Sequence, residues 1–226
     1  MKIKNMGGNL FWNKMMGLSG ILGGLILFIG DMLLYYGPIN TNFYLNMATV
    51  SDFRVIASGV SALFATWFYL IGIGHVFHAF KPTKKALRTL VLICFGCILV
   101  SYGIVHGAFI AIATSAKLST QFNLDIEAAI LLARETNQSM RMFVYPIFVL
   151  LSFIFISQVW NKNTLYPRWI ILFYPLIPFL FQDIICKHIP ESLTIIVCGG
   201  YLNIILIIFF TASSIALWNK KSSTDF

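Results

Sequence analysis

Charge is what this sequence has least of. Only 11% of its 226 residues are Asp, Glu, Lys or Arg, against about 25% in an average soluble domain. With 58% hydrophobic residues and a mean hydropathy of +0.83, that scarcity excludes an ordinary water-soluble globule. It indicates an all-α, polytopic membrane protein. Acids are rarer than bases, and the net charge is +8. No basic run and no aromatic-interleaved patch accompanies this charge, so nucleic acid is not expected as a partner and the lipid bilayer is. Catalytic signatures are missing too: there is no GxSxG, no HExxH, no Walker loop and no evenly spaced string of Lys or Arg. No repeat relates the two halves.

Cysteine is sparse. Cys94-Phe-Gly-Cys97 lies mid-way along an apolar run, where a redox or zinc CxxC would lack loop geometry, so it reads as packing. Cys186 and Cys198 fall near one membrane face, which leaves a disulfide open. The N-terminal lysines precede an apolar run too long for a signal peptide and without a small-residue cleavage site. That run is expected to be a retained first span.

What is there is hydrophobic run. Six segments approach the roughly 20 residues that a spanning helix needs: 18–36, 55–80, 90–113, 142–160, 170–185 and 193–217. Together they predict a single six-helix transmembrane domain over 1–226. The fifth is the shortest and holds Pro175 and Pro178, which predicts a kink. Lys and Arg set the orientation. With the N-terminus inside, eleven fall on the inner side (Lys2, Lys4, Lys14, Lys81, Lys84, Lys85, Arg88, Lys162, Arg168, Lys220, Lys221) and five outside. Trp12, Trp160, Trp169 and Trp218 fall at inner ends, in agreement. Both signals predict N-in, C-in, in the cytoplasmic (inner) membrane. Outside, 37–52 reads as a polar loop whose Ser51 or Asp52 can cap the second span. In the longest loop, 117–139, an amphipathic stretch is expected to lie on the surface or to extend the fourth span. The tail after Trp218 reads as disordered.

Asp31 sits inside the first run. A carboxylate there costs several kcal/mol unless it is protonated, paired or wet, so it marks a functional-site hypothesis. Gly20, Gly24, Leu27, Asp31 and Tyr35 form one helical stripe, and its small residues admit a neighbouring helix. Counting about 1.5 Å per residue puts Asp31, His106 and Asp183 within roughly 20–27 Å of the inner boundary. Arg54 shares a stripe with Ser58 and Ser61, Arg141 one with Tyr145 and Ser152, and His106 one with Tyr102. The candidate outer-leaflet cluster is Asp31, Tyr35, Arg54, His106, Arg141, Tyr145, Gln182, Asp183, Tyr201 and Asn203, with Arg54 or Arg141 as counter-charge. Each has a plainer reading: snorkelling for the arginines, belt aromatics for the tyrosines, a structural staple for an Asp–Arg pair, a carbonyl bond for His106. His75 and His78 read as interface histidines, since no third ligand is predicted at their level. No metal site is expected.

The stretches GDMLLYYGP (30–38), HVFHAF (75–80) and GGYLNIILIIFF (199–210) resemble an uncharacterised bacterial family of six-helix integral membrane proteins that carries a domain-of-unknown-function label. The likeness covers nearly the whole chain. It implies fold and location only and brings no catalytic residues with it. Three classes stay open: a protein that binds or transports a small polar or amphipathic molecule, an intramembrane lipid-modifying enzyme using Asp/His acid–base or metal chemistry, and a structural or assembly protein. Cofactor, ligand and oligomeric state are not readable from the residues.

Overall fold

The computed structural model describes residues 4–37 and 42–219, which form helices and turns with no strand among them. Within these residues four helices are long and apolar enough to cross a membrane. They are the Leu10–Tyr35 part of α1 (Lys4–Tyr35), α3 (Asp52–Ala79), α4 (Lys85–Gln121) and α5 (Ile126–Trp160). A fifth arises if α8 (Glu191–Gly199) and α9 (Tyr201–Leu217), which meet at 64°, form one broken span.

The run expected as a fifth span is not one helix. It is a 3-10 helix (Arg168–Phe173), α6 (Leu176–Leu180) and α7 (Gln182–His188). Pro175 and Pro178 have no N–H to donate, and a proline disfavours helical dihedrals in the residue before it. Tyr174 is accordingly extended, at φ −66° and ψ 136°. The three pieces still climb the length of the bundle. At one end Arg168 Nε donates to the Trp160 carbonyl at 2.9 Å, and at the other a Cys186–Cys198 disulfide joins α7 to α8 across a Cα–Cα distance of 5.8 Å. The cysteine pair left open by the sequence is therefore bonded, whereas Cys94 and Cys97 are free thiols.

The bundle is held by close crossings of α1. A Cβ placed on Gly72 of α3 would meet Gly20 Cα at 2.7 Å, so the two backbones touch. A Cβ on Gly24 would lie 2.6 Å from Ile207 Cγ1 of α9, with Asn203 O at 3.6 Å. Where lipid surrounds a bundle, such small-residue contacts replace the hydrophobic drive that water would supply. Below them an aromatic core forms around Phe155, stacked on Tyr174 at 4.3 Å and meeting Phe209 edge-on at 5.8 Å. His75 is packed into this interior. The residue is 1% exposed, and Nδ1 donates to Asn13 O and Oδ1 at 2.9 and 3.0 Å, pinning α3 to α1.

The expected loop over 117–139 is mostly helix. α4 runs 37 residues, about 55 Å at 1.5 Å per residue, which exceeds a hydrocarbon core of about 30 Å. It turns at Asn123, whose φ of 52° is one an Asn tolerates, and α5 restarts with Asp125 capping Glu127 N at 3.0 Å. The amphipathic stretch thus extends the fourth span. The other expected loop contains α2 (Phe43–Thr49), capped by the Asn42 side chain on Tyr44 N and Leu45 N at 3.0 and 3.1 Å. Asn46 Nδ2 donates to Tyr35 O at 2.9 Å, so α2 roofs the end of α1. Ser51 caps α3, as its type allows. The expected disordered tail falls largely on residues outside those described.

Candidate functional site

Beneath that roof lies a cavity of about 410 Å³, walled by α1, α2, α4, α5, α9 and the broken segment. Its lining is mostly apolar, with Leu27, Phe95, Leu99, Phe148, Leu151 and Leu206 in the deeper wall. Size and lining match those of small-molecule sites, which run to roughly 300–1,000 Å³ with few polar groups.

The polar wall centres on Asp31, only 7% exposed. Its two oxygens are taken separately. Oδ1 meets His106 Nδ1 of α4 at 3.0 Å, and Oδ2 accepts from Asn203 Nδ2 of α9 at 2.5 Å. Asn203 Oδ1 in turn accepts a longer bond from Tyr69 OH at 3.4 Å. On the far side of the imidazole, His106 Nε2 lies 2.9 Å from Ser58 Oγ, which itself donates to Gly30 O at 2.8 Å.

Counting donors assigns the protons. A hydroxyl has one hydrogen. Ser58 gives it to Gly30, so it can only accept from His106, and Nε2 carries a hydrogen. The contact between Nδ1 and Oδ1 then holds one further proton between ring and carboxyl. Whether the pair is acid and imidazole or carboxylate and imidazolium, its net charge is zero. That neutrality is how an acid is kept inside a membrane-length helix at tolerable cost.

Seven of the ten expected residues line this cavity: Asp31, Tyr35, His106, Arg141, Tyr145, Gln182 and Asn203. Three do not. Asp183 is exposed on α7 and has no place in the wall, because the breaks at Pro175 and Phe181 void the register that a continuous helix would have given it. Arg54 is a cap, with Nη2 donating to Met32 O and Tyr36 O at 3.1 and 2.6 Å at the C-terminal end of α1. Tyr201 OH donates to Pro178 O at 2.8 Å and braces α9 against α6. Sequence reasoning missed Ser58 and Tyr69 as members of the network, although Ser58 stood on the Arg54 stripe. It also missed the α2 roof, from which Phe43, Tyr44 and Met47 enter the wall.

The order Ser58–His106–Asp31 copies the connectivity of a hydrolase triad, but its direction is reversed. Ser58 is fully buried between helices and is absent from the cavity wall, whereas Asp31 faces it. Ser58 therefore orients the imidazole and does not present a nucleophile. No three His, Cys, Asp or Glu side chains gather in metal-binding range among the described residues.

Fold and site together define an all-helical protein of long apolar helices around a cavity with one buried, proton-sharing acid. The chain belongs to the family of unknown function DUF6796, whose model matches residues 1–220. No curated protein and no solved structure matches it.

Proposed function

We propose that this is a multi-pass protein of the bacterial cytoplasmic membrane, crossing six times with both termini inside. Its outward-facing cavity binds or transports a small polar or amphipathic molecule. The carrying observation is that Asp31, bonded on both oxygens, faces a cavity large enough for a ligand. A carboxyl that only stapled helices together would need no such space beside it.

Sidedness is supported by charge and redox logic. Lys14 lies 4.4 Å over the Trp218 ring and Arg168 5.0 Å over that of Trp160, at the end expected inside. Arg54, Lys117 and Arg141 are at the other end with the disulfide, and disulfides persist on the oxidising face of a membrane. Both discontinuous segments touch the cavity, through Gln182 and through Gly199 at the α8–α9 break. Broken helices at a buried site are a feature of transporters and favour binding or transport over assembly.

A second reading, acid–base chemistry on a lipid, is favoured by the single proton shared between Asp31 and His106. Native mass spectrometry of the detergent-purified protein tests the first. The wild type should carry a small-molecule or lipid adduct that Asp31→Asn lacks while melting at nearly the same temperature. Identical adducts on both proteins would remove Asp31 from the site. Chemical conversion of the adduct by the wild type alone would favour the enzyme.

A further inference from the structure

Arg141 stands half-buried on the cavity wall, its guanidinium 5.1 Å from the Phe109 ring centroid. Among the described residues it makes no hydrogen bond and no ion pair. The acids that could have served it are engaged. Asp31 gives one oxygen to His106 and the other to Asn203. Asp52 pairs with Lys117 at 2.8 Å and Glu127 with Arg134 at 3.0 Å. A guanidinium has five donors in a flat fork, and holding them half out of water without an acceptor is unfavourable. Its position is nonetheless fixed by the ring beneath it.

Arg141 also stands at a junction. A second cavity of about 300 Å³ shares Tyr44, Phe109, Arg141 and Tyr145 with the first, and adds Arg134 and Gln138. Along α5, Arg134, Gln138, Arg141, Tyr145 and Phe148 follow one another at i, i+4, i+7, i+11 and i+14, a single helical stripe. The stripe runs from cationic at the mouth to apolar within.

We propose that Arg141 is the anion-recognition residue of this cavity, and that the ligand is a single-chain amphiphile with a phosphate or carboxylate head. The head is held by the Arg141 fork, and the chain lies along Phe148 and the deeper apolar wall. A planar fork matches either oxyanion bidentately. The neutral Asp31–His106 pair opposes no anion across the cavity. This rests on the reading of the cavity as a ligand site.

The test uses the purified full chain in nonionic detergent and three probes with one chain length: decyl phosphate, decanoate and decanol. Affinity is followed by thermal shift and calorimetry. The wild type should bind decyl phosphate or decanoate about tenfold or more tightly than decanol, as expected for a charge-assisted pair. Arg141→Gln should bring the anions to parity with decanol while leaving decanol affinity unchanged. Equal binding of charged and neutral chains by the wild type, or an anion preference that survives in Arg141→Gln, overturns the assignment and leaves the cavity reading standing. Failure of every chain to bind the wild type overturns both. Should Arg141→Gln not fold, the wild-type ratio and Arg141→Lys, which keeps the charge but loses the fork, decide instead.

Discussion

Asp31 of α1 and His106 of α4 share one proton across 3.0 Å, and every other polar contact around them fits that count. An amide in place of the carboxyl satisfies the same partners. Its oxygen accepts from Asn203, and its N–H donates to the free lone pair of a neutral imidazole. Asp31→Asn should therefore fold and lose less than about 1.5 kcal/mol, the worth of an ordinary hydrogen bond. Asp31→Leu leaves both His106 Nδ1 and the Asn203 amide unpartnered in a buried place and should lose about 1–3 kcal/mol for each. Thermal unfolding in detergent compares the two. A loss of about 3–5 kcal/mol for Asp31→Asn would instead mark a carboxylate–imidazolium pair that cannot give up its charge.

Ser58 supplies the second prediction. It is the acceptor that fixes the His106 tautomer, and it is fully buried with no cavity access. Ser58→Ala strands the Nε2 hydrogen and should cost about 1–3 kcal/mol. It should also weaken ligand binding through a reoriented ring. Unchanged melting together with unchanged binding would show that the imidazole is held by Asp31 alone.

Packing supplies the third. A Cβ on Gly24 already falls 2.6 Å from Ile207 Cγ1, with the α9 backbone just behind it. Gly24→Leu should push α9 outward at about 1–3 kcal/mol, the usual range for overpacking. Because Asn203 lies one turn along α9 from Ile207, the displacement also draws its amide away from Asp31. Melting temperature and ligand affinity should fall together, and an unaltered melt would place this stripe away from α9.

The site was legible in the sequence wherever a helix is continuous. A constant rise per residue places Asp31 and His106 at one depth, and Asn203 belongs to the same expected outer-leaflet cluster. The same count misplaces Asp183, since it assumes a helix that is interrupted at Pro175 and Phe181. Arg54 and Arg141 looked alike, each at the start of a span. What separates them is tertiary: α1 ends beside Arg54, whose fork closes its last carbonyls, while nothing closes that of Arg141. The role of Ser58 needed the rotation of α3 about its own axis, which neighbours set and stripes do not. Broken segments were the least readable part, because a proline shows where a helix stops and not where the chain turns next.

The last prediction concerns sidedness. The turns at 81–84 and 122–125 are at opposite ends of α4, which in the proposed six-span arrangement crosses the membrane and puts them on opposite faces. The first carries Lys81, Lys84 and the nearby Lys85 and Arg88, whereas the second is flanked by Asp125 and Glu127. Positive residues stay inside, so a reporter that works only in the cytoplasm should be active when inserted at 81–84 and silent at 122–125. A cell-impermeant reductant should then reach the Cys186–Cys198 bond from outside intact cells, because that bond lies at the cavity end with α7 and α8. Mass-tagging of the freed thiols reads this out. Reporter activity at 122–125, or a disulfide opened only after the cells are lysed, would turn the molecule over and put the mouth of the cavity in the cytoplasm.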